Sequence, residues 1–339
     1  HTLSWNPSPQ LNLLIGANAQ GKTNLLEALG FLTTGRSFRT PRLAEVAHWG
    51  TEAVALTGEL KRAEGGRTMR RTLQRLEGGA WQRAGEECSW ARAVAFSWQD
   101  LEVLNGPPAA RRSFVDGVAA RLYPTHRAAV RRFRQVLARR NHLLQQRLPE
   151  PVLAARLAPW DEQLAGLGLE VIDRRRRATA ALQTEIARIY PTLSGERHKV
   201  EIQYRSSLGE AAEPPAFLQA LERARLAERR RGQTLVGPHR DDLLIELDGA
   251  DARIFGSRGQ QRVLALTLRL AEVLPITDAV GTAPVLLLDD ALSELDPRVR
   301  ENALREVQGA EQVFLTSPAP IDVAGAARWT VAGGGVVAA

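Results

Sequence analysis

Apolar and polar positions follow different patterns in successive parts of the chain, and each pattern predicts a different structure. The run from Leu11 to Ile15 is apolar enough for a buried parallel strand, and the residues after Thr23 have helical spacing. Residues 56–60 and 67–76 alternate apolar or β-prone residues with polar ones, and glycine pairs at 65–66 and 78–79 mark hairpin turns. We therefore expect strands and turns around one helix within residues 1–90.

Helical periodicity dominates from about residue 105 to residue 200. Two apolar stripes, separated by a turn marked by Pro149, Pro151 and Pro159, have the spacing of helix faces; they are Val130, Phe133, Leu137, Leu144 and Leu148, then Val171, Ala178, Leu182, Ile186 and Ile189. They predict two antiparallel helices of about 20–28 residues that project roughly 30–40 Å. Strand patterns return at 243–247 and 285–288. We predict an α/β fold with a discontinuous head, residues 1–104 and 200–339, and an inserted, mainly helical, basic lobe, residues 105–199.

An eight-residue motif after the first strand predicts a nucleotide site. It fits G-x-x-x-x-G-K-[ST] without mismatch and consists of Gly16, Ala17, Asn18, Ala19, Gln20, Gly21, Lys22 and Thr23. Glycines let backbone N–H groups curl around phosphates, and the helix N-terminus adds a favourable dipole. Lys22 would reach the same phosphate oxygens, and the Thr23 hydroxyl would bind Mg²⁺. The strand before the motif and the helix after it argue against a chance glycine-rich turn.

A second nucleotide motif is predicted at residues 285–290, where the apolar run VLLL ends in two carboxylates. In P-loop enzymes the first carboxylate belongs to the Mg²⁺ shell and the second polarises the attacking water. We assign these roles to Asp289 and Asp290, and we expect Lys22 and Asp290 to be the catalytic residues. The alternative is a buried strand that ends in an ordinary polar turn.

Charge is unevenly distributed along the 339 residues. The net charge is +7, but residues 91–232 hold 25 Lys and Arg against 15 Asp and Glu, so the remainder is slightly acidic. A basic middle region suggests a polyanion partner, most simply nucleic acid, although a solvated basic surface without a partner has the same composition. The sequence contains no apolar run of 18 residues, the length that would predict a membrane span. The single cysteine, Cys88, suits a reducing cytoplasm. Because the sequence opens without Met, we expect residues before His1.

Several classes of P-loop protein are distinguished by what accompanies the two motifs. A GTPase usually reads guanine with Asn/Thr-Lys-x-Asp, and none of the three lysines has that context. A helicase motor usually needs a second core, for which there is no room. A small-molecule kinase remains an alternative, although kinases are usually shorter and here 266 residues separate Thr23 from Asp289. An ABC-type subunit of a membrane assembly is a third hypothesis.

A Ser-x-Gly-Gln turn at a helix start, some 30 residues before the carboxylates, resembles the signature motif of ABC-type ATPases; its residues are Ser257, Arg258, Gly259 and Gln260. In that class the serine hydroxyl and the glycine N–H bind the γ-phosphate of a nucleotide held by a partner subunit. The same resemblance makes residues 293–296 a D-loop at the dimer interface, with Ser293 and Asp296 beside the nucleotide. Read alone, the turn is also an ordinary helix N-cap.

The chain as a whole resembles the RecF family of bacterial recombination mediators. Six stretches in the same order carry the resemblance: GANAQGKTNLLEALGFL (16–32), TTGRSFRT (33–40), NGPPAARRSFVD (105–116), GPHRDD (237–242), SRGQQR (257–262) and VLLLDDALSELD (285–296). The resemblance implies a P-loop ABC-type ATPase head with an inserted second lobe, weak DNA-stimulated ATP hydrolysis and an ATP-dependent homodimer. It also implies binding at double-strand/single-strand DNA junctions, and work with RecO and RecR to load the recombinase on single-stranded DNA.

Some positions depart from the family pattern or have an open role. Ala17 stands where the family often has Glu, and FSWQDL (96–101) replaces the commoner FSPEDL. By analogy with the ABC Q-loop, we expect Gln99 near Mg²⁺ and the γ-phosphate; a plain turn is the alternative. The family's first strand is absent or shortened before His1, which is consistent with a truncated chain.

Three arginine-containing segments also have open roles. His239 and Arg240 would meet nucleotide or DNA, or else belong to a turn that Asp241 and Asp242 cap. Arg36 and Arg39 would reach phosphate or lie on the surface. For the arginine run at 174–177 we expect a solvated helix face.

Overall fold

Most apolar runs of the sequence become buried strands or helix faces in the structure, a computed structural model that describes residues 2–210, 213–308 and 310–339. In the described residues the strands are β1 (Leu11–Ile15), β2 (Ala53–Arg62), β3 (Gly65–Arg75), β4 (Trp81–Gly85), β5 (Ala93–Phe96), β6 (Val200–Arg205), β7 (Asp242–Leu247), β8 (Ala250–Asp251), β9 (Val285–Leu288), β10 (Val313–Ser317), β11 (Ala327–Ala332) and β12 (Gly335–Ala338). The α-helices are α1 (Lys22–Thr34), α2 (Glu102–Asn105), α3 (Pro108–Leu122), α4 (His126–Leu144), α5 (Glu150–Ser194), α6 (Pro214–Arg231), α7 (Ala252–Phe255), α8 (Arg258–Leu270), α9 (Val273–Val280) and α10 (Pro297–Gln308). Short 3₁₀ helices lie at Leu43–Glu45 and Trp98–Leu101.

The chain divides into two units. The first consists of residues 1–101, 188–197 and 257–339, and the second of residues 102–187 and 198–256. Among the described residues, no helix is long and apolar enough to cross a membrane.

Five parallel strands of the first unit end at one edge of its main sheet. The strand order is β12-β11-β1-β10-β9-β5, and the β11–β12 pair is antiparallel. Apolar side chains of β1, β9 and β10 are buried on both faces, which is why these strands read as apolar runs rather than as alternating patterns. Because parallel strands share an edge, the segments that follow β1, β5, β9 and β10 are neighbours there.

The hairpin prediction for residues 56–76 is confirmed. Strands β2, β3 and β4 form an antiparallel sheet, and β2 alternates between exposed and half-buried positions along its length. Turn glycines have the left-handed backbone that side chains disfavour, with φ of 93° at Gly78 and 85° at Gly79. This sheet packs against α1, where Leu32 occupies the space that a Cβ at Gly58 would need.

The two predicted helices exist, but the second is longer than expected, and from residue 188 onward it belongs to the first unit. Helix α4 has 19 residues and α5 has 45. They run antiparallel, since Arg140 pairs with Asp161 while Arg132 pairs with Glu170. The predicted proline turn is wrong in part: Pro151 occupies the first turn of α5, where no backbone N–H is needed, and Pro159 lies inside the helix.

The second unit also includes residues that the sequence assigned to the head. The predicted lobe ends at residue 199, whereas residues 200–256 cluster with the helices in the structure. Strand β6 pairs with β7, and the Gln183 side chain of α5 bonds to Val200 O and Ile202 N. Phe217 of α6 is buried in one apolar cluster with residues of α4 and α5, so α6 completes the core of this unit.

Candidate functional site

The glycine-rich motif forms a loop between β1 and α1 whose shape depends on two glycines. A Cβ at Gly16 would lie 2.3 Å from the carbonyl oxygen of Val331, so no larger residue fits. Gly21 has φ of 98° and is the N-cap of α1. Ala19, at φ of 64°, also has the left-handed conformation. The loop therefore turns its backbone sharply at the N-terminus of α1, which is the geometry that presents N–H groups to an anion.

Lys22 lies under this loop with a largely buried side chain. Its ammonium donates to the carbonyl oxygens of Gly16 at 2.5 Å and Ala17 at 2.9 Å. Both acceptors are neutral, and charged phosphate oxygens form stronger hydrogen bonds with an ammonium. The Lys22 ammonium is thus held at the loop by hydrogen bonds that an anionic ligand can replace.

The structure brings together Thr23 and Asp289, the two side chains that the sequence assigns to Mg²⁺. The Thr23 hydroxyl lies 3.0 and 2.8 Å from the two carboxylate oxygens of Asp289, which follows β9. Asp289 is buried, and its backbone N–H donates to Phe96 O at the end of β5. A hydroxyl and a carboxylate are oxygen ligands of the kind that Mg²⁺ prefers, so these two side chains fit a Mg²⁺ site that a bound phosphate would complete.

Asp290 differs from Asp289 in the exposure of its side chain and in its backbone conformation. Its side chain is exposed, and its φ of 52° lies in the left-handed region that residues with a Cβ seldom adopt. The hydroxyl of Ser293 donates to the carboxylate, and the backbone N–H of Asp290 donates to the Thr316 hydroxyl at 2.8 Å. The exposed carboxylate of Asp290 is therefore accessible to water.

Two features of this edge were not predicted from the sequence. Thr316, at the end of β10, also donates to Asp289 Oδ1 at 3.0 Å; the run VFLTS ends in polar residues as VLLLDD does, and that signal could have found it. The turn between β11 and β12 contacts the loop as well, because Gly333 N donates to the Gln20 side chain at 2.9 Å and Gly334 N to Gln20 O at 3.1 Å. The sequence patterns of β11 and β12 are weak and did not predict this contact with the loop.

The predicted signature turn is the N-terminus of α8. Ser257 and Gln260 form a capping box, in which the serine hydroxyl accepts from Gln260 N at 3.2 Å and the Gln260 side chain accepts from Ser257 N at 2.9 Å. The N-cap interpretation is therefore correct locally. Ser257, Arg258 and Gly259 are nevertheless exposed, and no hydrogen bond in the described part of the chain joins this turn to residues 16–23.

The predicted D-loop and the Gln99 segment both contact α8. Glu294 forms an ion pair with Arg262, while Asp296 is exposed. Gln99 lies in the 3₁₀ helix Trp98–Leu101, which follows β5 at the same edge as Asp289. Its neighbour Asp100 accepts a hydrogen bond from Arg269 Nε at 2.9 Å, so the Gln99 segment is held against α8.

In the second unit, charged residues of two other sequence motifs join Arg175 and Tyr204 in what we call the buried network: Arg111, Asp116, Arg175, Tyr204, Asp241 and Asp242. Arg111 binds both oxygens of Asp242 at 2.7 and 2.9 Å, and Arg175 binds both oxygens of Asp116 at 2.7 and 2.9 Å. Tyr204 donates to Asp241, whose other oxygen accepts from Ser207 N. The solvated face expected for residues 174–177 is wrong for Arg175, which is buried.

His239 and Arg240 both donate to Thr234 O, at 3.0 Å from the imidazole and 3.0 Å from the guanidinium. Burial lowers the pKa of His239 to about 4, and its hydrogen bond to Thr234 only partly opposes this shift. Burial also acts against ionisation of Asp116, but hydrogen bonds from His126 and Arg175 bring its pKa down to about 2. These contacts favour a role inside the fold for the GPHRDD segment.

Arg36 and Arg39 lie on the surface beyond α1. Arg39 donates to the Asn24 side chain at 2.8 Å and pairs with Glu27 at 3.1 Å. The Arg36 side chain is exposed. Arg39 is thus held on the outer face of α1 by its own neighbours.

The comparisons with known proteins agree with one another. A DNA replication and repair protein RecF from Heliobacterium modesticaldum is 38% identical over 323 residues, which cover 91% of this chain and 86% of that protein. A solved structure of a recombination mediator protein RecF with ATP, from the RecFOR pathway, is 28% identical with a TM-score of 0.85 and covers 99% of this chain and 93% of that one. An Smc head domain from Pyrococcus furiosus shares the fold, with a TM-score of 0.50, 16% identity and coverage of 99% and 92%. No family model matches the chain.

Proposed function

The chain belongs to the RecF family of DNA replication and repair proteins, and we propose that Mg-ATP converts it into a dimer that binds DNA. The proposal has three parts: a nucleotide site in each copy, an interface completed by the nucleotide, and a basic surface for DNA. The observation that carries it is the exposed N-terminus of α8, which forms no hydrogen bond with its own phosphate loop in the described residues.

The residues present fit Mg-ATP. The loop 16–21 offers backbone N–H groups, the Lys22 ammonium has two replaceable carbonyl partners, and Thr23 with Asp289 would hold the cation. ATP would supply the phosphoryl group, and Mg²⁺ would neutralise charge on its oxygens. Asp290 would accept a proton from the attacking water, and Gln99, at the same sheet edge, would help to hold the cation. Lys22 would stabilise the phosphate charge.

The interface follows from the exposed donors of α8. Helix N-termini attract anions through unpaired N–H groups and the helix dipole, and α8 has 13 residues over which that dipole accumulates. Residues 257–260 of one copy would bind the phosphates held by the loop of the other, with Ser293 and Asp296 beside them. ATP would thereby be buried between two copies and would stabilise the dimer by mass action.

The DNA surface is argued from unpaired arginines. Arg131 and Arg134 are exposed on the polar face of α4, and neither has a carboxylate partner in the part of the chain that the structure describes. Guanidinium groups without such partners are available for phosphate contacts. Because the related RecF protein with ATP acts in the RecFOR pathway, we further propose that this protein works in the cytoplasm with RecO and RecR at gapped DNA junctions. There it would help to load recombinase on single strands, with DNA stimulating a weak ATPase.

The first experiment is sedimentation of the Asp290→Asn variant with Mg-ATP and with Mg-ADP. We expect a dimer in ATP and a monomer in ADP, because the variant binds ATP but does not hydrolyse it. The control is Ser257→Arg, which should bind ATP as a monomer but fail to dimerise. A monomer in both nucleotides, with ATP bound, would contradict the trans interface, and ATPase activity independent of protein concentration would favour the kinase alternative.

DNA binding is then measured on the dimer. Affinity for a gapped duplex should rise with ATP and fall steeply with salt, because each phosphate contact releases counterions. Replacing Arg131 and Arg134 with Gln should reduce the salt slope by about one for each lost contact. Affinity that is indifferent to both ATP and salt would exclude a DNA clamp.

A further inference from the structure

Thr316 occupies a position between the two nucleotide motifs that the preceding proposal does not use. Strand β10 lies between β1, which leads into the phosphate loop, and β9, which leads into the carboxylates. Thr316 is paired with Leu14 of β1 and comes one residue after the pair of Leu315 with Leu288. Its side chain is buried at the point where all three strands end.

The hydroxyl of Thr316 bonds to both carboxylate residues at once. It donates to Asp289 Oδ1 at 3.0 Å and accepts the backbone N–H of Asp290 at 2.8 Å. Asp289 Oδ1 also lies 3.0 Å from the Thr23 hydroxyl. One carboxylate oxygen is therefore shared by a threonine of the phosphate loop and a threonine of β10.

We propose that Thr316 is a positioning residue that sets the backbone of Asp290 according to the state of Asp289. This inference rests on the proposed function, in which Asp289 holds the cation and Asp290 accepts a proton from water. It assigns to β10 a part in hydrolysis that is distinct from binding the nucleotide.

The chemistry requires a hydroxyl at this position. Asp289 fixes the direction of the O–H bond, so that an oxygen lone pair faces the N–H of Asp290. That second bond helps to hold Asp290 at a φ of 52°, a conformation that costs free energy for a residue with a Cβ. Without the hydroxyl, the Asp290 peptide is free to return to an ordinary conformation, which would move the carboxylate away from its present place.

The same contact would link cation binding to hydrolysis. A cation held by Thr23 and Asp289 would attract the carboxylate oxygen to which Thr316 donates, and a shift of that oxygen would reorient the Thr316 hydroxyl. The N–H of Asp290 is bound to that hydroxyl and would shift with it. Asp290 would thus be held in its place through Asp289, the residue that would hold the cation.

The test compares Thr316→Val, which keeps the shape of the side chain without the hydroxyl, with Thr316→Ser, which keeps the hydroxyl. Thr267→Val is the matched control, since Thr267 is a buried threonine whose hydroxyl bonds only within its own helix, to Val263 O at 2.7 Å. For the valine variant we expect an ATP dissociation constant and a KM within about twofold of the wild type. Its kcat should fall by about 10- to 100-fold, the cost of a misplaced catalytic group.

Two further measurements separate positioning from stability. Sedimentation should show that the valine variant still dimerises in Mg-ATP and that its dimer outlasts the wild-type dimer, because hydrolysis no longer disperses it. The serine variant should recover kcat to within about threefold of the wild type, since the hydroxyl is what acts. Thr267→Val should keep wild-type kcat.

Each opposite result overturns the inference. Wild-type kcat in the valine variant shows that the hydroxyl is not needed, and equal losses of kcat and ATP affinity that serine does not restore show a structural role only. If the valine variant does not fold, Thr316→Ala is measured against the same expectations. A wild-type protein that does not hydrolyse ATP would contradict the proposed function itself, and this result is distinguishable because it does not depend on any variant.

Discussion

The two units use the same kinds of charged residue in opposite ways. At the sheet edge of the first unit, and among the described residues, Lys22 has only carbonyl partners and Asp290 is exposed with a single hydroxyl on its carboxylate. In the second unit, Arg111 and Asp242 satisfy each other with two hydrogen bonds, as do Arg175 and Asp116. Charges that the fold leaves incompletely paired are available to a ligand, whereas fully paired ones hold the fold together. Motif content alone does not distinguish the two.

The largest effect should come from Arg140, which is fully buried in the second unit. It donates to Asp161 at 2.6 Å and to Thr234 at 2.9 Å, and it lies 2.8 Å from Glu228 Oε2 as a charge contact without hydrogen-bond geometry. Arg140→Met leaves the buried Glu228 without its cation and Asp161 with only Arg225, at 3.8 Å, and should reduce the free energy of unfolding by about 3–5 kcal/mol. Urea unfolding measures the loss.

The matched control for Arg140 is Arg134→Met, on the exposed face of the same helix. Its unfolding free energy should stay within about 0.5 kcal/mol of the wild type. The folded Arg140→Met protein should still bind ATP normally. A loss of less than about 1 kcal/mol would mean that the buried charges of this unit are not what holds it together.

A comparable effect, on binding rather than stability, is expected for Lys22→Ala. Removing an ammonium that contacts phosphate should weaken ATP binding by at least about 100-fold, equivalent to about 2.7 kcal/mol. Its present partners are carbonyls, which water can satisfy, so the unfolding free energy should change little. Equilibrium binding of a fluorescent ATP analogue and a urea titration of the same sample separate the two quantities. A loss of unfolding free energy as large as the loss of ATP-binding free energy would contradict the distinction between the two units.

The effect that is smallest near neutral pH is a pH dependence that belongs to the second unit. The folded pKa of His239 is about 4, below its ordinary value of 6.5, so the unfolded chain takes up a proton first as the pH falls. The contribution of neutral His239 to the free energy of unfolding is fully present above about pH 6.5. It is lost progressively toward pH 4, by at most roughly 3 kcal/mol.

The test for His239 is urea unfolding at several pH values between 7 and 4. His239→Gln keeps a donor for Thr234 O but does not titrate, so stability in this range should depend less on pH than in the wild type. His142→Gln, an exposed histidine on α4, is the control and should leave the pH dependence unchanged. Identical pH profiles for the wild type and His239→Gln would show that His239 is not desolvated in the fold.

Much of the first unit could be predicted because its signals are local. The phosphate loop, the β2–β3 hairpin and the strand before Asp289 each combine a periodic pattern with residues of fixed geometry, and the meeting of Thr23 with Asp289 follows from parallel strands that share an edge. The RecF resemblance seen in six motifs is confirmed by relatives over nine-tenths of the chain. The trans role of Ser257 and the cation role of Gln99 stay predictions.

The remaining features depend on partners distant in sequence. Nothing near Arg175 indicates that Asp116, 59 residues away, removes it from solvent. Residues 200–256 join the helical unit through pairing of β6 with β7 and through the packing of Phe217, neither of which the sequence displays. Thr316 matters only because β10 lies between β1 and β9, and strand order is not readable from apolar runs.

Strand order also governs when the nucleotide site can be assembled. Strand β1 leads into the phosphate loop, yet both of its neighbours, β10 and β11, lie about 300 residues later in the sequence, with Leu13 opposite Leu315 and Arg328. Until β10 and β11 have left the ribosome, the Val331 carbonyl cannot pack against Gly16, and no β10 hydroxyl lies beside Asp289. Contacts of such long sequence separation form late and slowly in folding. We therefore expect the ability to bind ATP to be acquired only after β10 and β11 have been translated, so that a chain without them would not join the proposed dimer.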